Sequence, residues 1–572
     1  MRLVKRMNIN NKLKNILTGH NEMVVNVLVN RGYDKEIIES LLETGYSNEL
    51  PPYNDLTNVE VGADIISSHI ANGSTIWIFG DHDSDGVNST YILGDAINNI
   101  IYETESNATI NLKVPERTEG YGLNINWCEE LVANKSDEQI LVITVDNGIA
   151  ADREVAYLLE NGIDVLITDH HQPNGHTPQN VFIIDAFHNN DSESNKGLCG
   201  AGVAFKLAMT LLDRYPNIAS DDMYYRYMIH VAIATITDSM PMTKENIQYV
   251  YNGLQLLKDG YGSEALNYYK DYNANTDLTP KDLAFGIGPQ LNACGRMNNV
   301  GLAIDYLFCE ESEVEDLYNK IVLTNDERKA KTKEAVATAE SIMDINSPSI
   351  VLALNNVAGI AGIIASDLSS RFNKCTIVFS SHGNNKYLIG SARSTGSIHL
   401  LNVLRELETD AIVKVGGHAG ACGITIKAEL YNEFINALNN ALNNLPTIEV
   451  ENDTELEVVV DDFITLSDIN KDNCEALKNL YFFTESNPVF ALTDVTIVKT
   501  KASNNNKNNM MFSIVDEDNN KFEFWSWGIG EQYRALGEPK KVTFVGEIEY
   551  KFGKPSFNIL NIIPKELITT CN

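Results

Sequence analysis

Ile76-Trp77-Ile78-Phe79-Gly80-Asp81-His82-Asp83-Ser84-Asp85-Gly86 sets three carboxylates at alternate positions directly behind an apolar run. The run reads as a buried strand. Anions this dense repel one another unless a cation sits among them, and hard oxygen ligands suit Mg²⁺, Mn²⁺ or Ca²⁺. The same D-x-D-x-D-G spacing opens an EF-hand loop. Two features oppose that reading. The twelfth position, where a bidentate Glu belongs, is Ile92, and the segment in front is strand-like where an EF-hand needs a helix.

Two further clusters follow strand-like runs. Ile140-Leu141-Val142-Ile143-Thr144-Val145 stops at Asp146-Asn147-Gly148, and Val165-Leu166-Ile167-Thr168 runs into Asp169-His170-His171. Ligands of an open parallel sheet gather at the carboxyl ends of its strands, so these clusters are expected to meet in one crevice. Asp238, at the end of the apolar stretch Val231–Ile236, is a fourth candidate. A single strand-end Asp is commonly a helix cap. Four such positions with a mixed Asp and His inventory are hard to explain as caps.

The ordered set resembles the DHH phosphoesterase superfamily, in its D-x-D-x-D-G, V-D-N-G, D-H-H and T-D-S segments. Later segments narrow the resemblance to RecJ-type single-strand DNA exonucleases. They are Val114-Pro115-Glu116-Arg117 with Gly120-Tyr121-Gly122-Leu123, Gly200-Ala201-Gly202, Gly288–Arg296, Gly390-Ser391-Ala392-Arg393-Ser394 and Gly416–Gly423. The resemblance runs from about residue 75 to the C-terminus. It implies that Asp83, Asp85, Asp146, His170 and Asp238 ligate metal, that Asp146 bridges two ions and that Asp81 supports them. His171 would face the scissile phosphate, with Asp146 and Asp169 completing the catalytic set. Two divalent cations about 3.5–4 Å apart can generate hydroxide at neutral pH and neutralise charge growing on phosphorus oxygens. A nitrogen ligand tilts the preference from Mg²⁺ toward Mn²⁺.

Arg117 and Arg393 lie beside glycines, where guanidinium forks can reach a terminal phosphate. The resemblance places them, with Ser391, on the 5′ end, and makes Asn292, Arg296 and His418 further substrate contacts. Gln290 stands where the family usually has Arg, which puts one phosphate contact in question.

At 572 residues the chain exceeds what one core serves. The reading divides it into an N-terminal helical extension (1–60), an α/β DHH domain with a parallel sheet (61–305), a long connecting helix (306–347), a second α/β DHH-associated domain (348–447) and an OB-like β-barrel (450–572). The helix is expected because Glu310 to Met343 is charged and free of Gly and Pro. In the tail, Met511–Val515, Phe522–Trp527 and Val542–Gly546 alternate like strands. Trp525, Trp527 and Tyr550 there either stack on bases or fill the barrel. The Asn504–Asn509 run reads as a hairpin loop.

A net charge of −34 is the opposite of a usual nucleic-acid binder. Either a local basic and aromatic strip carries DNA over an acidic body, or the substrate is small. The sequence shows no signal peptide and no transmembrane run, and its eight cysteines have no C-x-x-C, which suits a reducing cytoplasm. The expectation is a monomeric Mn²⁺/Mg²⁺-dependent 5′→3′ exonuclease on single-stranded DNA with a 5′-phosphate, acting in repair, recombination or replication. A single-strand-binding protein or a helicase is the candidate partner, and no membrane is involved. Two alternatives stand beside it: a phosphodiesterase for short oligoribonucleotides or cyclic dinucleotides, and a catalytically silent DHH-fold scaffold of a replication complex.

Overall fold

The computed structural model describes residues 2–567 apart from 7–16, 18, 43–51, 137, 174, 274–277, 382–385, 396–397, 418, 445–456, 479, 482–485, 505 and 552. It forms two compact units, one of residues 51–240 with 252–449, the other of 1–50, 241–251 and 450–572.

In the larger unit five parallel strands, β1 (Thr75–Phe79), β2 (Thr109–Lys113), β3 (Ile140–Val145), β4 (Asp164–Thr168) and β5 (Phe182–Ile184), lie in the order β2-β1-β3-β4-β5. Strands covered on both faces read as unbroken apolar runs, which is why all six residues of β3 are buried. From β1 the chain crosses outward to β2 and then returns to β3 on the other side. The loops after β1 and β3 therefore diverge, and a crevice opens at this switch point. Helices Ser84–Glu103, Gly200–Leu212 and Asp221–Thr237 pack beside it.

The charged stretch after residue 310 forms one helix, Val314–Ile342, burying Tyr318, Ile321, Asn325 and Ala339. It leads into a second, mixed sheet in the order Ile412–Gly417, Ala421–Lys427, Tyr387–Arg393, Thr376–Ser381, Ile350–Asn355. Only the pair Ile350–Asn355 and Thr376–Ser381 is parallel.

The smaller unit holds an antiparallel sheet in the order Lys521–Ser526, Met510–Val515, Phe490–Ala502, Lys541–Lys551, Lys554–Pro564. Its ladder stays open between the outer strands. Ser526 Oγ spans that gap, accepting from the Ile559 amide at 2.9 Å. The barrel interior is filled by Phe512, Phe524, Phe544 and Phe557, all buried. Trp525 and Trp527 point the other way, stacked with ring centres 6.3 Å apart and planes at 15°. The Asn-rich run joins two of the strands as a hairpin connection, with Asn505 outside the described residues.

The first residues belong to this same unit. Besides helices Glu22–Asn30 and Lys35–Leu42, they supply a strand, Arg2–Lys5, paired in parallel with Glu457–Val460. Arg31 secures them: its Nε and Nη2 donate to Asp461 Oδ1 and Oδ2 at 2.7 and 2.6 Å. Both side chains are almost fully enclosed, at 3% and 2% exposure. Arg31 also donates to the carbonyls of Ser486 and Asn487. A lysine keeps the charge but loses the planar fork. Arg31→Lys is therefore expected to cost about 1–3 kcal/mol, read as a lower urea midpoint for the full chain. An unchanged midpoint contradicts this role.

Candidate metal centre and phosphate cradle

Each cluster reaches the crevice by a local device. Asp83 caps helix Ser84–Glu103, its Oδ1 accepting from the amides of Asp85 and Gly86 at 3.0 and 3.1 Å. Gly86 is required there, since a Cβ would lie 2.5 Å from the Asp81 carbonyl oxygen. Asp85 is gripped by the start of helix Gly200–Leu212, with Oδ2 on the Gly200 amide and Oδ1 on the Ala201 amide, both at 2.7 Å. Asp146 follows β3 in the left-handed region, at φ 60°. This conformation costs a non-glycine residue about 1–3 kcal/mol and is characteristic of functional sites. A Cβ on Gly200 would come within 2.6 Å of Asp146 Cβ, which explains the small residue in that motif.

Three groups of ligand atoms result, each within 4.8 Å: Asp81, Asp83 and Asp146; Asp146, His170 and His171; Asp85, His170 and Asp238. Asp146 belongs to two of them and His170 to two. Asp238 comes from the C-terminal cap of helix Asp221–Thr237, its Oδ2 lying 3.8 Å from His170 Nε2. Asp169 faces elsewhere. Its Oδ1 lies 2.8 Å from His171 Nδ1, and its oxygens accept from the amides of Ile149, His170 and His171. It positions His171 and leaves Nε2 as the outward nitrogen.

The donor set fits divalent cations. The buried oxygens Asp81 Oδ1 and Asp146 Oδ1 receive no hydrogen bond. Burial, then Asp81 and Asp85, push the Asp83 carboxyl up to about 6. Burial followed by the neighbouring carboxylates raises Asp146 and Asp238 as well. Carboxylate oxygens suit both Mg²⁺ and Mn²⁺, and the imidazole nitrogens tilt the set toward Mn²⁺.

A second cluster is cationic. Burial, then the charges of Arg117, Arg328 and Arg393, bring Arg296 down to about 10, with Asp83 acting against them. Arg296 Nη1 donates to the Gly359 carbonyl at 3.2 Å, and Arg393 Nη1 to Ser391 Oγ at 2.9 Å. Arg117 Nε is buried without a partner. Asn292 is brought elsewhere: its Oδ1 accepts from the Ser84 amide at 2.9 Å. Gln290 Oε1 is buried and unpartnered, and His418 lies outside the described residues.

Consecutive stretches match three family descriptions: DHH family, N-terminal domain, over residues 75–235; DHHA1 domain, over 346–444; and RecJ OB domain, over 460–554. The chain belongs to the RecJ-type DHH phosphoesterases. The single-stranded-DNA-specific exonuclease RecJ of Bacillus subtilis is 29% identical over 538 residues, covering 92% of this chain and 65% of that protein. That of Escherichia coli is 28% identical over 412 residues, covering 67% and 69%. The chain thus spans about two thirds of the length of these relatives. The crystal structure of RecJ with Mn²⁺ from Thermus thermophilus superposes with a TM-score of 0.79 at 20% identity, over 98% of this chain and 79% of that one.

This RecJ-type centre contains side chains that motif reading left without a role. Arg328 joins the cationic cluster from the long helix, its Nε and Nη2 on Asn325 Oδ1 at 3.1 and 2.8 Å. An N-x-x-R spacing of one helical turn is the signal that could have found it. Asp185 ends β5 with Oδ1 on the amides of Phe187 and His188, and burial pushes it up to about 7. Tyr121 lies at the mouth, its hydroxyl 3.3 Å from His171 Nε2.

The raised carboxyls predict proton-linked metal binding. A carboxyl raised on folding stabilises the metal-free protein at low pH and loses that contribution as pH rises through its folded value. His171 acts in the same sense. Burial opposes its charge, but the bond to Asp169 wins and lifts it to about 9. Metal-free protein should therefore lose stability from pH 6 toward 9, and Mn²⁺ should bind more tightly at pH 8 than at pH 6 while releasing protons. Calorimetry in buffers of different ionisation enthalpy measures the release. Equal heats in both buffers contradict it.

Proposed function

We infer that this protein is a metal-dependent exonuclease that hydrolyses single-stranded DNA, working 5′→3′ to mononucleotides in DNA repair, recombination or replication. The observation that carries the reading is the pair of ligand groups meeting at Asp146 beside a cluster of arginines. Asp81, Asp83 and Asp146 would hold one cation, and Asp85, His170 and Asp238 with Asp146 the other, Mn²⁺ preferred over Mg²⁺ for the imidazole. Divalent cations bound there supply an activated water and neutralise charge growing on the phosphoryl oxygens. His171, held by Asp169, faces the phosphodiester. Ser391, Arg393 and Arg117 grip the terminal 5′-phosphate, and Arg296 and Arg328 continue the positive path. His418 and Asn292 are assigned to the strand through the family's motifs.

The arginine cluster answers the acidic total charge, because a local track suffices when bases also stack. Trp527 is 40% exposed and Tyr550 41%, on a barrel whose core needs neither. Lys551 Nζ stands 5.9 Å from the Trp527 ring centre. Base stacking is worth about 1–3 kcal/mol per aromatic. Trp527→Ala should therefore raise KM for long single strands about five- to a hundredfold and spare a trinucleotide. An equal effect on both lengths contradicts the platform. This unit also contains the first fifty residues, so point variants test it more cleanly than removal of residues 450–572.

No helix among the described residues is long and apolar enough to cross a membrane. A cytoplasmic monomer working beside a single-strand-binding protein or a helicase fits the scattered thiols. All the described cysteines are free.

The deciding experiment offers Mn²⁺-loaded protein 5′-labelled single-stranded DNA, duplex DNA, an RNA dinucleotide and a cyclic dinucleotide. Rapid mononucleotide release from single-stranded DNA alone is expected. Preference for either dinucleotide would make it a small-substrate phosphodiesterase, and cleavage of none would make it a scaffold.

A further inference from the structure

Tyr121 takes no part in holding cations or the terminal phosphate, yet it stands directly over the centre. It lies between Gly120 at φ 112° and Gly122 at φ 66°. A Cβ at Gly120 would meet nothing within 4 Å, whereas at Gly122 it would touch Asn147. Asn147 pins that side of the loop. Its Oδ1 accepts from the Leu123 amide at 3.2 Å, and its Nδ2 donates to the Phe79 and Val145 carbonyls at the ends of β1 and β3.

The ring sits edge-on to two imidazoles, 6.1 Å from His171 and 6.3 Å from His82, at 84° and 89°. That bracket aims the hydroxyl at His171 Nε2, the nitrogen Asp169 leaves outward. The residue is 60% exposed, and its hydroxyl stands among the carboxylates of the centre. Burial, then Asp81, Asp146 and Asp169, hold it protonated well above a phenol's usual range. A neutral donor in so anionic a place can offer a hydrogen bond to a phosphoryl oxygen without competing for a cation.

We propose that Tyr121 is a catalytic residue whose hydroxyl, paired with His171, hydrogen-bonds a non-bridging oxygen of the phosphodiester under attack. The assignment rests on the phosphodiesterase reading and adds to it a contact with the reacting group. A neutral hydroxyl bonded to a charged partner is worth about 1.5–3 kcal/mol, so Tyr121→Phe should lower kcat about ten- to a hundredfold. KM should hold, because the ring remains. Mn²⁺ affinity should also hold, because the hydroxyl is no ligand. Groups that act as a unit are non-additive, so Tyr121→Phe should slow a His171→Ala enzyme little further. In the metal-free protein the ¹⁵N signal of His171 Nε2 should shift on Tyr121→Phe, reading the pairing without catalysis.

The kinetics use whichever phosphodiester the wild type cleaves, so an error about DNA appears in the wild type and an error about Tyr121 only in the variant. A Tyr121→Phe enzyme with wild-type kcat, an additive double variant, lost Mn²⁺ affinity or an unmoved His171 signal each overturns the proposal. A wild type that cleaves no phosphodiester overturns both.

Discussion

Asp146→Ala is expected to abolish hydrolysis and to weaken Mn²⁺ binding more than loss of any other carboxylate in the centre. Asp146 alone shares a ligand group with Asp81 and Asp83 on one side and with His170 and His171 on the other. Losing a group that only hydrogen-bonds to a metal ligand already costs about 10- to 100-fold in affinity or activity. A ligand common to two cations should cost about a thousandfold or more on the same scale. Alanine keeps a Cβ at φ 60° and so relieves no backbone strain, but it removes one of several mutually repelling buried carboxylates, so the fold should survive. Asp81→Ala should be milder, since Asp83 and Asp146 remain in that group. Titrating Mn²⁺ calorimetrically into wild type and both variants decides the matter. Equal affinity and stoichiometry in wild type and Asp146→Ala would show that Asp146 bridges no cations.

The second large effect concerns the direction of attack. Two-metal hydrolysis is indifferent to strand polarity, so a fixed distance from one terminus must be set by something else. Arg393 is placed for this: Nη1 meets Ser391 Oγ at 2.9 Å, and a Cβ at Gly362 would come within 2.9 Å of Nη2, so the glycine leaves the guanidinium room. Each charge-assisted contact to phosphate is worth about 1.5–3 kcal/mol. Arg393→Ala should cost about ten- to a hundredfold in kcat/KM on 5′-phosphorylated strands and far less on 5′-hydroxyl strands. A lysine should rescue poorly, because it cannot form two parallel bonds. Equal slowing of both substrates, or release from the 3′ end by the wild type, would move the pocket elsewhere.

The catalytic sheet was legible because a strand buried on both faces writes itself as an apolar run with nothing to interrupt it. β1, β3 and β4 end within a residue or two of their ligands for that reason. Asp238 was found through its motif; over the six apolar residues Val231–Ile236 alone, a helix buried all round and a buried strand share one pattern. The strand Arg2–Lys5 meets its partner some 455 residues later, beyond the reach of any local pattern. Tyr121 escaped because its motif shows the flanking glycines but neither their positive φ nor the Leu123 amide's bond to Asn147 that fixes the loop. The outward tryptophans could have been read. Glu523 shares their parity on a strand whose other face holds Phe524 and Ser526, so the charged residue marks the solvent side.

Diffraction at the manganese edge from crystals grown with Mn²⁺ locates the cations themselves. Two anomalous peaks are expected, one among Asp81, Asp83 and Asp146, the other among Asp85, His170 and Asp238, with Asp146 touching both. A single peak, or peaks that leave Asp146 unliganded, would contradict a two-cation centre bridged by Asp146.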